Sequence, residues 1–152
     1  MRILFVCLGN ICRSPLAEVI ARAEAEQRGL DTWHIASAGT GDWHVGQGAD
    51  RRSLAVARKH GLDLSRHVAR QVTAEEMEDW DWFVAMDRSN RADLLAMGAD
   101  PARVLLMRQF DPSGELDVPD PYYGGEDGFE LAYRLLRENA GRLLDYLASY
   151  GR

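Results

Sequence analysis

Lysine is nearly missing from this 152-residue chain: Lys59 is the sole one, and all the other basic side chains that the count includes are arginine. The skew reads as coding bias rather than function. Cysteine is as scarce. Cys7 and Cys12 are too few for the disulfide framework of a secreted domain, and no Cys-x-x-Cys pair offers a structural zinc site. Long apolar runs are lacking too. The stretch from Ile3 to Leu8 is far too short to span a bilayer. Gly9, Asn10 and Arg13 interrupt it too early for a secretory signal. Positive charge is in deficit, with 24 acidic against 18 basic side chains and a formal net charge of −6. That balance argues against non-specific nucleic-acid binding. What remains is ordinary: 46% apolar and 28% charged residues, the composition of a globular protein. The expectation is one domain over residues 1–152, cytoplasmic and monomeric, with neither nucleic acid nor membrane as partner.

Short apolar runs alternate with longer helical periods, without repeats or linkers. Arg2 to Cys7 reads as a strand buried on both faces, since Ile3, Leu4, Phe5 and Val6 are consecutive and apolar. Ser14 to about Arg28 reads as a helix, with Ser14 as its cap, Pro15 at its first position and Gly29 at its end. Trp33 to Ser37 is a second strand, followed by a glycine-rich loop with Gly39, Gly41, Gly46 and Gly48. Asp50 to His60 is a helix stopped by Gly61. Thr73 and Glu76 have capping-box spacing, which predicts a short helix there. Trp82 to Met86, Ser89 to about Met97 and Val104 to Met107 read as strand, helix and strand. A long loop follows from Arg108 to about Asp127. The last helix carries Phe129, Tyr133, Leu136, Ala140, Leu143, Leu144 and Leu147 on one stripe. This alternation predicts an α/β fold, a three-layer sandwich with a four-stranded parallel sheet flanked by helices. Ligands of such sheets bind beyond the carboxyl ends of the strands, which directs attention to Cys7.

Residues Cys7 to Ser14 read Cys-Leu-Gly-Asn-Ile-Cys-Arg-Ser. A strand ends at a thiol, and a short loop leads into a helix N-terminus. Backbone N–H groups and the helix dipole favour negative charge at such a place, so thiolate is favoured over thiol and a phosphate dianion can be cradled. Gly9 allows close approach of the backbone, and Asn10 tolerates the positive φ of a curled loop. Arg13 can set a planar fork on two phosphate oxygens, and Ser14 can donate to the sulfur. A thiolate beside bound phosphorus is placed for in-line attack and a phosphocysteine intermediate. The departing oxygen then needs a proton. Asp120, between Pro119 and Pro121 and followed by Tyr122 and Tyr123, is a carboxyl group on a stiff loop beside aromatic rings.

The Cys7-x5-Arg13-Ser14 loop, the Val118-Pro-Asp-Pro-Tyr-Tyr segment and the chain length together resemble the low-molecular-weight protein tyrosine phosphatases. So do Ser37-Ala-Gly39, Asp42-Trp43, His67-x-Ala69-Arg70-Gln71-Val72 and Met86-Asp87-x-Ser89-Asn90. A flavodoxin-like topology with strand order 2-1-3-4 is the expectation that goes with this resemblance. The resemblance implies hydrolysis of phosphotyrosine in proteins or peptides, with inorganic phosphate as product and no metal or organic cofactor. It implies Cys7 as nucleophile, Arg13 as phosphate clamp, and Asp120 as general acid and later base. Leu8, Gly9, Asn10, Ile11, Cys12 and Ser14 would surround the phosphate, with Ser14 stabilising the departing thiolate. Ser37 and His67 would tie Asn10 in place, and Trp43 and Tyr122 would wall the slot for the phenol ring. A reversible Cys7–Cys12 disulfide is implied as well.

Plainer readings stand beside these. Cys7 alone reads equally as a buried apolar cysteine, Cys12 as filler at the helix entry, and Asp120 as a turn residue before proline. His67 reads as structural. His34, His44 and His60 show no ligand spacing and read as surface or core residues. Trp80 and Trp82 read as core, and Asp87 as a cap for the helix after it. Three other chemistries compete. An arsenate reductase of this build needs later cysteines, which are lacking beyond Cys12. A protein arginine phosphatase has Thr where Ile11 stands. A cysteine phosphocarrier domain would have no general acid.

Overall fold

Ile3, Leu4, Phe5 and Val6 have no accessible surface at all, because the strand they form is central and covered on both faces. The computed structural model describes residues 1–30 and 32–150. Its elements are β1 (Arg2–Cys7), α1 (Arg13–Gln27), β2 (His34–Gly39), α2 (Arg51–Lys59), β3 (Trp82–Ala85), α3 (Arg88–Ala96), β4 (Val104–Leu106) and α4 (Glu126–Tyr150). Two 3-10 turns lie at Ala74–Glu76 and Pro101–Arg103. The strands form one parallel sheet in the order β2-β1-β3-β4, the expected α/β arrangement.

The alternation along β1 divides the core in two. Ile3 and Phe5 pack with Leu16 and Ile20 of α1, Val56 of α2 and the buried stripe of α4. Leu4 and Val6 face the other way, toward Leu94 of α3 and toward Met77 and Trp80 of the segment before β3. Every residue of the predicted α4 stripe is buried. Burial at roughly 25 cal/mol per Å² makes these two layers the main source of stability. Trp80 and Trp82 are core residues, as expected. No described helix is long and apolar enough to cross a membrane.

Several boundaries differ from the sequence reading by a residue or two: β2 starts at His34, α2 leaves out its caps Asp50 and His60, and α3 runs from Arg88 to Ala96. β2 runs on to Gly39 because Ala38 and Gly39 still pair with Val6 and Cys7. β3 and β4 each stop a residue early, although Met86 and Met107 still donate to the Val6 and Ala85 carbonyls. The larger correction concerns α1. Its N-cap is Cys12, Arg13 is its first residue and Pro15 its third. Ser14 is therefore not the cap; its hydroxyl is turned toward Cys7 instead.

The register sets Cys7 opposite Gly39. A Cβ on Gly39 would lie 2.7 Å from the Leu8 carbonyl oxygen and 3.2 Å from Asn10. Bare backbone at 39 is what lets the loop after β1 settle across the end of β2.

Candidate active site

The loop between β1 and α1 is wound around the Cys7 sulfur. Cys7 is the last residue of β1 and is buried. The Asn10 N–H donates to its Sγ at 3.2 Å. Ser14 Oγ lies 3.0 Å from the same sulfur. Ser14 Oγ also accepts from Asn10 Nδ2 at 2.9 Å, which leaves the hydroxyl hydrogen available to the sulfur. The contact from Ser14 Oγ to the Ala38 carbonyl, at 3.5 Å, is the weaker alternative.

Asn10 holds the loop in shape. It has φ 57° and is the only described non-glycine residue with positive φ, a conformation Asn adopts more readily than most. Its Nδ2 also donates to Ser37 Oγ at 3.0 Å, and its Oδ1 accepts from the Arg70 N–H at 3.0 Å. His67 Nε2 stands 2.6 Å from the Asn10 carbonyl. Ser37 donates onward to Glu18 at 2.7 Å. Asn10 and Ser14 are fully buried and stand behind the sulfur rather than at the cleft surface.

Arg13 is 2% exposed, an unusual place for a guanidinium unless it is paired. Its Nη1 donates to Asp87 Oδ2 at 2.6 Å and to the Val118 carbonyl at 2.8 Å. Its Nη2 is 3.6 Å from Asp120 Oδ2. Burial works against the charge, but Cys7, Asp87 and Asp120 outweigh it and hold Arg13 above its ordinary pKa. Asp87 is the residue that sequence reasoning missed. It does cap α3, accepting from the Asn90 N–H at 2.8 Å, but its second oxygen fixes the Arg13 guanidinium. The two residues lie 74 positions apart, and no local pattern announces the pair.

Asp120 stands at the mouth. Its Oδ1 accepts from the Tyr122 N–H at 3.1 Å, so it is the turn residue the plainer reading named. Its Oδ2 meanwhile faces Arg13. Upstream, the Val118 N–H is tied to the Met86 carbonyl at 2.8 Å. Cys12 is buried, and burial pushes its thiol up to about 12, with the negative charges of Asp50, Cys7 and Asp120 adding to the effect.

These groups meet in one cleft of about 310 Å3, lined by Cys7, Leu8, Gly9, Ile11, Cys12, Arg13, Trp43, His44, Asp120, Tyr122 and Tyr123. The sulfur and guanidinium form its floor, and aromatic rings form its walls. His44, expected as a surface or core residue, is part of the lining, with its ring 5.7 Å from that of Tyr122. Trp43 is 68% exposed and lies over Gly41, where an added Cβ would come within 2.0 Å of the indole. Among the described residues no group of three His, Cys, Asp or Glu is placed to hold a metal ion. The arrangement offers a sulfur nucleophile, a cation for an anionic group, a carboxyl group for proton transfer and flat apolar walls.

The comparisons agree with this geometry. The family model for low molecular weight phosphotyrosine protein phosphatase matches residues 2–151. A low molecular weight protein-tyrosine-phosphatase of Streptomyces coelicolor is 45% identical over 152 residues, spanning 94% of this chain and 91% of that one. A protein tyrosine phosphatase from Entamoeba histolytica, crystallised with Hepes in its active site, superposes with a TM-score of 0.93 at 34% identity and covers 100% of this chain and 99% of that one. A Drosophila arginine phosphatase superposes with a TM-score of 0.89 at 32% identity, covering 97% and 98%. Sequence, sheet order and the loop around Cys7 thus lead to one conclusion: this chain belongs to the low molecular weight phosphotyrosine protein phosphatase family.

Proposed function

We propose that this protein hydrolyses phosphotyrosine in proteins or peptides through a phosphocysteine on Cys7. The observation that carries the reading is the convergence of the Cys7 sulfur, the buried Arg13 guanidinium and the Asp120 carboxyl group on one aromatic-walled cleft. Arg13 and the loop from Leu8 to Ser14 hold the phosphate. The Cys7 thiolate attacks phosphorus in line with the aryl oxygen. The S–P bond forms as the P–O bond breaks, and the departing oxygen takes the Asp120 proton. Water then attacks the phosphocysteine and gives a proton to the Asp120 carboxylate. Inorganic phosphate leaves, and the Ser14 hydroxyl steadies the sulfur as its charge returns.

Trp43 and Tyr122 suit the planar ring of a phenol. Ile11, also in the lining, has no hydroxyl for a guanidinium, which favours phosphotyrosine over phosphoarginine. The reading extends to a single phosphatase domain over residues 1–152, working as a cytoplasmic monomer without metal or organic cofactor. It includes a reversible Cys7–Cys12 disulfide, supported by the two free thiols at either side of the same loop. Steady-state turnover of phosphotyrosine, phosphoserine and phosphoarginine peptides tests the substrate. Preference for the first is expected, with turnover lost in Cys7→Ser and phosphate binding kept. Near-normal turnover by Cys7→Ser would refute the mechanism.

A further inference from the structure

Asp120 belongs to no helix or strand, so its position depends on what grips the backbone around it. Two guanidinium groups do. Upstream, Arg13 Nη1 holds the Val118 carbonyl at 2.8 Å. Downstream, Arg52 Nη2 holds the Tyr122 carbonyl at 2.9 Å and Arg52 Nη1 the Gly124 carbonyl at 3.0 Å.

Arg52 is itself fixed. Asp50 takes its Nε on one oxygen and its Nη2 on the other, each at 3.1 Å. The guanidinium carbon lies 4.4 Å from the ring centre of Phe129 and 5.9 Å from that of Tyr122. Asp50 leads back to the nucleophile's loop, because its N–H donates to the Ile11 carbonyl at 2.8 Å. A bridge therefore runs from the Cys7 loop through Asp50 and Arg52 to Tyr122 and Gly124, two and four residues beyond the acid. A lone exposed ion pair contributes little. Here a planar fork makes four directed bonds and a ring contact, which a lysine cannot reproduce.

We propose that Arg52 is a positioning residue for proton transfer by Asp120, fixing the acid's loop at a set distance from the phosphate-binding loop. The inference rests on Asp120 being the general acid. A misplaced catalytic group costs most where the leaving oxygen most needs its proton.

The test compares kcat/KM for phenyl phosphate, whose leaving group is strongly basic, with that for 4-nitrophenyl phosphate, whose leaving group is weakly basic. The proteins are wild type, Arg52→Met, Asp120→Asn and the double variant. Arg52→Met is expected to lose about ten- to a hundredfold on phenyl phosphate, clearly less on the nitro compound, and to keep its inhibition constant for inorganic phosphate. In the Asp120→Asn background it is expected to cost no more than about twofold, since there is no acid left to position. Arg52→Lys, which keeps charge and stem, replaces it should the methionine variant fail to fold, and the same selective loss is expected. Equal losses on both substrates, or an undiminished loss in the Asp120→Asn background, would overturn the role of Arg52. If Asp120→Asn itself lost no more on phenyl phosphate than on the nitro compound, the acid assignment would fall first and this inference with it.

Discussion

Arg13 is the residue on which the site turns, and Asp87 is what keeps it aimed. The 2.6 Å contact between them gives the substitution Asp87→Asn a diagnostic use. Asparagine caps a helix about as well as aspartate, so α3 should persist, while loss of the bond to the buried guanidinium should lower the melting temperature by roughly 3–10 °C. The charge partner of Arg13 is lost, and hydrogen bonds to charged groups are worth about 1.5–3 kcal/mol. Inhibition by inorganic phosphate should weaken by roughly tenfold or more; unchanged inhibition would show that Arg13 needs no such support. Cys12 makes a second case. Its thiol, pushed up to about 12 by burial first and then by neighbouring negative charges, is a poor nucleophile. Oxidation of Cys7 to the sulfenic acid removes one of the charges that suppress Cys12 ionisation, which favours closure to a disulfide. Mild peroxide should therefore inactivate reversibly, with thiols restoring turnover, and Cys12→Ser should make the loss permanent. Full recovery of Cys12→Ser would exclude the bridge. Cys7 and Arg13 could be read from sequence because one short loop carries both, and Asp120 because two prolines mark it. Asp87 and Arg52 could not, since their partners arrive from positions 74 and 70 residues away.

At the scale of elements, the strands and helices were legible from apolar spacing, and their ends were not. The start of α1 shows why. A serine ahead of a proline looks like a cap by propensity alone, but the sulfur claims its hydroxyl and shifts the start of the helix to Arg13. The turn at Ala74–Glu76 shows the opposite outcome, with the Glu76 carboxylate accepting from the Thr73 N–H at 2.9 Å, as the spacing implied. Glu76 does more than the pattern announced. It also accepts from Arg70 and from the Trp80 indole, tying the segment before β3 to the residue that supports Asn10. Burial raises its pKa, but the hydrogen bonds from Arg70, Thr73 and Trp80 win and lower it from 4.5 to about 2. A folded value below the unfolded one means that this stabilisation is complete above pH 4.5 and drains away as pH falls toward about 2. Urea denaturation should show Glu76→Gln destabilised at pH 7 by roughly 2–3 kcal/mol, with the gap to wild type closing through that window. A gap independent of pH would mean that the carboxylate's charge is irrelevant there.

For the whole molecule, the parallel order sets β1 between β2 and β3, so groups from the ends of all three meet around Cys7 without any one of them leaving the core layers. An anion bound there by main chain and guanidinium is bound by the folded state alone. Inorganic phosphate at a hundred times its dissociation constant should add about 2.7 kcal/mol and raise the melting temperature by roughly 5–10 °C. Cys7→Ser should keep that increment and Arg13→Ala should lose it. An increment that survives Arg13→Ala would place the anion elsewhere. Fold class was readable from the alternation of elements; strand order was not, since alternation leaves open which strands become neighbours. The depth of Arg13 was not, because burial of a cation is decided by partners assembled only when the sheet closes.

The indole of Trp43 rests where it does because position 41 has nothing to offer but hydrogen. One methyl group there would evict the ring, and since the tryptophan is mostly solvated, it would swing outward at little cost to the fold. If Trp43 walls the slot as proposed, a preference for flat aryl esters over slimmer phosphate esters would then relax while the sulfur and its cation stayed untouched. A chain of this build can thus retune what it accepts by a change of three atoms, far more readily than it can alter what it does.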